Sequence, residues 1–175
     1  MNNKLSYKNE EDKCYGATGM AIAVVVFDGE DFITSINLDA DPDRVVEFTE
    51  DFYFNGNPGF SAKNAWNQIL KNFNLAMAMS LGNVLCRRLV YESNPVDREL
   101  TESLRKLMTD VGTESCSLEA DETGHLFDKN LTYLTRIFSH HGVQGVAHEF
   151  AEALKRRRNM TRMDMIDQLR ALSML

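Results

Sequence analysis

Leu75-Ala-Met-Ala-Met-Ser-Leu-Gly-Asn-Val-Leu-Cys86 runs for twelve residues without a charge, and its reading decides the fold. Trp66, Ile69, Leu70 and Phe73 before it, and Leu89 and Val90 after it, keep helical spacing. A helix that is apolar on every side is a buried helix. The segment from Ser61 to Asn94 therefore predicts a long central helix around which the rest of the chain packs. Ser61 is its expected N-cap, and Asn94-Pro95 its end, because a residue before proline avoids the helical region. Ser80, Gly82 and Asn83 stand out in the apolar middle as points of close packing.

Toward the N-terminus, residues 1–18 are polar and aperiodic and read as a flexible leader, leaving 19–175 as a single α+β domain. Met20–Phe27 is rich in β-branched residues and stops at Asp28-Gly29, a turn signal; Phe32–Leu38 has the makings of a second strand. Together they predict a β-hairpin, which is marginal alone and must pack on helices or be completed by a second copy across a dimer. Asp41-Pro42 reads as a helix start with Asp41 as N-cap, carrying Val45, Val46, Phe48, Phe52 and Tyr53 on its apolar side. Asn55-Gly-Asn-Pro-Gly59 then forces a loop.

Toward the C-terminus, Pro95–Val111 reads as an amphipathic helix with Val96, Leu100, Leu104, Leu107, Met108 and Val111 facing inward. Gly112–Gly124 is an expected acidic loop, followed by a helix from about Thr123 to His140 bearing Phe127, Leu131, Leu134 and Phe138. Gly142 and Gly145 interrupt before a helix from about Gln144 to Arg158. Thr161-Arg-Met-Asp164 is a capping box opening a last helix. The predicted fold class is α+β: an N-terminal β-hairpin packed on a mainly α-helical domain of about six helices around the long buried central helix.

At 175 residues, with 43% hydrophobic and 26% charged residues, the chain has the composition of a soluble globular domain. Its longest uncharged run, Asn72–Cys86, falls short of the roughly 20 apolar residues of a membrane span. The N-terminus has no apolar signal-peptide core. Cys14, Cys86 and Cys116 are widely spaced and odd in number, which points to reduced thiols and a cytoplasmic location. The net charge of −7 is uneven. Residues 1–60 hold twelve acidic and four basic residues, whereas residues 145–175 hold four and six. An acidic front half disfavours nucleic acid as a partner.

Chemistry-bearing patterns are sparse. Asp39, Asp41, Asp43 and Glu50 occupy positions 1, 3, 5 and 12 of a calcium loop, but Arg44 stands where that loop needs glycine. His140, His141, His148 and Glu149 surround the Gly142–Gly145 break as candidate metal ligands, without the spacing of a known zinc motif. Lys155-Arg-Arg-Arg158 offers an anion-binding stretch, or a solvated helix end with the acidic N-terminal half as counter-charge. Methionine suits adaptable contact surfaces, so Met160, Met163 and Met165, with Arg156 and Arg157, are candidate interaction residues. The function these features favour is a non-catalytic intracellular interaction or regulatory module that self-associates as a homodimer and offers a face to a protein partner. No cofactor is implied and no membrane. The alternative is a small metal-assisted hydrolase using His140, His141 and His148.

Overall fold

The computed structural model describes residues 6–53 and 62–174. The expected Ser61 cap and the Asn55–Gly59 loop lie outside the described residues. Six α-helices and a small antiparallel sheet occur among them: α1 Glu10–Val26, β1 Ile33–Asn37, β2 Val46–Phe48, α2 Ala62–Leu85, α3 Arg98–Cys116, α4 Ala120–Ser139, α5 His141–Arg157, β3 Asn159–Thr161 and α6 Arg162–Leu169. None of these helices is long and apolar enough to cross a membrane.

The predicted central helix is present as α2, which continues into a π-helical segment, Cys86–Tyr91. Its buried part begins near Asn72; Met77, Ala78, Leu81 and Cys86 are fully enclosed. Its first turns are not, and Trp66 remains exposed.

The largest correction concerns α1. Residues 10–18, read as leader, and Met20–Val26, read as a strand, form one helix. Asn9 caps it by accepting from the Asp12 amide at 2.8 Å, and Glu10, Glu11 and Asp12 sit at the positive end of its dipole. Ala17, Thr18, Ala21, Ile22, Ala23 and Val24 are enclosed on all sides, so their apolar pattern has neither the two-residue nor the 3.6-residue period that separates strand from helix. Burial overrides the β-branched composition of the last turn.

The glycines decide how α1 meets α2. A methyl group on Gly82 would run into the Gly19 carbonyl and lie 2.7 Å from Ala23 Cβ; one on Gly19 would strike the Gly82 carbonyl and Cys86 Cβ at 2.6 Å. The two backbones touch because neither residue has a side chain. Close packing at Gly82, expected from the sequence, is thus satisfied by a glycine on the segment that had been assigned to a strand.

The sheet has the order β2-β1-β3. The strand expected at Phe32–Leu38 is β1, but its hairpin partner is Val46–Phe48 and not Met20–Phe27. Ile36 lies opposite Val46 on one side and Met160 on the other, all buried. No helix starts at Asp41: its carbonyl accepts from the Arg44 amide at 2.8 Å in a turn, and Pro42 fits that turn as well as it would a first helical turn. Val46 and Phe48 gain more from the pleated surface beside β1 than from a helix face.

The expected Gly112–Gly124 loop shrinks to Ser117–Glu119. Gly112 is buried inside α3, and Ser117 terminates that helix in the left-handed region, φ 49°. Glu119 and Glu122 form a capping box for α4, so the acidic residues mark a helix start. Gly142 and Gly145 lie within α5, whose first residue is His141. The Thr161–Asp164 capping box of α6 forms as the sequence predicts.

Adding a single methyl group at the α1–α2 contact, as Gly82→Ala or Gly19→Ala, is expected to destabilise the protein by about 1–3 kcal/mol, the cost of overpacking, despite alanine's higher helix propensity. Thermal or urea unfolding reads this directly. An unchanged or raised Tm in both variants would contradict the contact.

Candidate interaction surface

Around the α1–α2 contact, polar side chains are consumed by one another. Arg87, in the π segment, donates from Nε and Nη2 to the two carboxylate oxygens of Asp12, each at 2.6 Å, and both residues are buried. Its Nη2 also donates to the Ser6 carbonyl at 2.9 Å, and the guanidinium lies over the Tyr7 ring, 4.9 Å from the centroid. Asn83, one turn earlier, donates to the Tyr7 hydroxyl at 2.8 Å. Burial pushes the Asp12 carboxyl up, but the Arg87 hydrogen bonds, the Lys8 amide and the nearby positive charges outweigh it, and the group stays below its ordinary value. Tyr7 is raised, chiefly by burial. Bidentate pairing with every partner satisfied makes this a clamp on the N-terminal segment.

The histidines do not converge. His140, at the α4–α5 junction, and His141 are exposed; His148 lies about two turns further along α5, its Nδ1 2.7 Å from the Tyr15 hydroxyl. Glu149 is exposed beside it. Tyr15 stacks on Tyr91, centroids 4.8 Å apart, and burial first and the neighbouring acidic groups next push its hydroxyl up to about 12. Among the described residues no three His, Cys, Asp or Glu side chains are placed to hold a metal ion. The cysteines are free and buried; desolvation lifts Cys14 to about 12 and raises Cys86 and Cys116 as well, so none is a ready thiolate.

The basic stretch at the end of α5 is largely occupied. Lys155 pairs with Glu11 at 2.5 Å, Arg157 with Asp164 at 2.8 Å, and Arg158 with both Glu10 and Asp39. The acidic N-terminal half is therefore its internal counter-charge, and Asp39 holds an arginine. Arg156 is exposed. Of the C-terminal methionines, Met160 and Met165 are fully enclosed, and Met163 alone of these three is exposed.

What the fold leaves unsatisfied is apolar and lies along α2 and α3. On α3 the buried residues recur every four, Leu100, Leu104, Met108, Gly112 and Cys116, and Asp97 caps the helix by accepting from the Leu100 amide at 2.7 Å. Leu107 and Val111 fall beside that row, 42% and 36% exposed; Trp66 at the start of α2 is 41% exposed and Tyr53 63%. Two hollows lie beside Tyr53, Val111 and Leu107. Tyr53, Ile69, Phe73, Ala76 and Val111 line one of about 280 Å³, and Met20, Ser80, Leu104 and Leu107 line another of about 220 Å³. Ala76 and Ser80 are one helical turn apart, as are Val111 and Leu107, so the hollows form one seam. Contiguous exposed apolar surface makes the seam a candidate contact site.

The sequence placed Leu107 and Val111 inside because their spacing fits a helix stripe. The stripe itself carries no signal against that, because its six residues span about 120°, an ordinary amphipathic face. The Asp12–Arg87 clamp was missed altogether, although a charged residue directly after a twelve-residue uncharged run was a visible clue.

No protein-family model matches this chain, and no curated protein or solved structure matches it either.

Asp12→Asn removes one half of a buried charge pair and is expected to cost about 3–5 kcal/mol at neutral pH. Because the folded Asp12 carboxyl is depressed, its contribution is complete above the unfolded value of about 3.9 and is lost as the pH falls through the lower folded value. Stability measured against pH should therefore fall less steeply below about pH 4 in Asp12→Asn than in the wild type. Parallel acid limbs would contradict the clamp.

Proposed function

We propose that this protein is a non-catalytic intracellular interaction module that acts as a homodimer through the α2–α3 seam. The exposed Leu107–Val111 stripe above two apolar hollows carries the reading. The Met20–Leu38 hairpin that a second copy could have completed does not form, since Met20–Val26 is helical. The present sheet edges are three-residue strands, too short to recruit a second sheet.

Charge along α3 favours a second copy of the same chain as the occupant. Lys106 precedes Leu107, and Asp110 and Glu114 flank Val111; all three are exposed, and none makes an ion pair among the described residues. A two-fold axis crossing α3 sets two such helices antiparallel, bringing Lys106 of each copy toward the acidic pair of the other while the apolar stripes meet. The three buried free thiols agree with a reducing compartment.

Sedimentation or light scattering at micromolar concentration is expected to give about twice the 19.9 kDa chain mass, and Leu107→Glu/Val111→Glu a folded monomer. Lys106→Glu should weaken the dimer and Asp110→Lys/Glu114→Lys in the same chain restore it. A wild-type monomer, or a dimer indifferent to the double glutamate variant, would contradict the reading.

A further inference from the structure

A second concavity lies on the far side of α2 from the seam. It is a groove of about 680 Å³ where the C-terminal end of α1 meets α2 and the outer face of α4. Its floor is polar. Asn130, almost fully buried, donates from Nδ2 to Asn74 Oδ1 at 2.9 Å. That bond uses one hydrogen and one oxygen of two amides and leaves Asn130 Oδ1 and Asn74 Nδ2, an acceptor beside a donor. Both residues line the groove.

The wall is aromatic. Tyr133 stands edge-on to Phe27 with centroids 5.6 Å apart. The Arg136 guanidinium lies 5.6 Å from the same Tyr133 centroid. The rim is cationic: Lys129 precedes Tyr133 by one turn and Arg136 follows it by about one, both exposed and without a carboxylate partner among the described residues. Asp128, also on the rim, is already taken by Arg105. Among the described residues Lys129 is thus without a carboxylate, and Arg136 is held only by the Tyr133 ring.

We propose that this groove binds a small planar heterocycle carrying an anionic group, of the nucleoside monophosphate class. The ring takes the place of the Arg136 guanidinium against Tyr133, its hydrogen-bonding edge meets the Asn74–Asn130 pair, and the displaced guanidinium holds the phosphate together with Lys129. The proposal is one of binding, and no bond is made or broken.

Titration of the purified protein with AMP, GMP, CMP and UMP by calorimetry or amide chemical shifts tests this. At least one mononucleotide is expected to bind at submillimolar concentration, with its shifts on α4 between residues 126 and 136. Adenosine alone and inorganic phosphate alone should each bind at least tenfold more weakly than AMP. Lys129→Glu/Arg136→Glu, both on exposed positions, should weaken binding at least tenfold without changing the circular dichroism, and Tyr133→Leu should weaken it independently. Leu107→Glu/Val111→Glu should bind as the wild type does, which separates this site from the dimer seam. Failure of all four nucleotides to bind at millimolar concentration, or equal binding by the charge-reversed variant, would overturn the proposal.

Discussion

The backbone contact between Gly19 and Gly82 is the constraint on which the rest of the structure depends. Two helices whose backbones touch have almost no freedom in crossing point, because any shift puts a carbonyl against a side chain. The Asp12–Arg87 pair, on the same two helices, then sets their register: a bidentate carboxylate–guanidinium fork tolerates little sliding. One contact is short-range and steric, the other directional and electrostatic. Together they fix α1 against α2 and its π-helical end, and the remaining helices pack onto that pair. The π segment belongs to this arrangement, since its wider turn changes the direction in which Arg87 and Tyr91 leave the helix.

A second organising theme is charge that joins distant parts of the chain. Glu10 and Glu11 open α1, Asp39 follows β1, and all three meet cations at the end of α5. The Lys13 ammonium donates to the Leu38 carbonyl at 2.8 Å, tying α1 to the end of β1. Immediately after α5, the chain enters β3 and pairs with β1. Each exposed ion pair contributes little to stability alone. Their value is in placement, because they close the chain's C-terminal third onto its N-terminal third at the point where β3 must find β1. Two faces stay open, an apolar one along α2 and α3 and one on α4 with Lys129 and Arg136 at its rim, and these are where the proposed dimer and the proposed ligand would sit.

The sequence was legible where one force acted alone. The α2 helix showed itself through an uncharged run, α4 through its stripe, α6 through its capping box, and β1 through a short run of strand-forming residues beyond a turn signal. It misled where two forces competed. In Met20–Val26 β-branched composition pointed to a strand, while burial on all sides made a helix, and no periodicity survives such burial. In Asp41–Tyr53 a good capping pair pointed to a helix, but Val46 and Phe48 had a better partner in β1. Gly112 looked like a breaker and is a point of close approach. The apolar seam was invisible for a related reason: Leu107 and Val111 have the spacing of core residues, and only the packing of the helices shows that they stay partly exposed. The Asn74–Asn130 pair, 56 positions apart, follows from how α4 packs on α2 and could not be read from either helix by itself.

The central claim is that residues 10–26 form a helix locked into the core and not a leader followed by an edge strand. Hydrogen exchange of individual backbone amides tests it most directly. The account predicts that the amides from Cys14 to Val24 exchange only through global unfolding, as slowly as those of Met77 to Leu85 across the contact. Rapid exchange between residues 10 and 18, with protection beginning only near Met20, would contradict it.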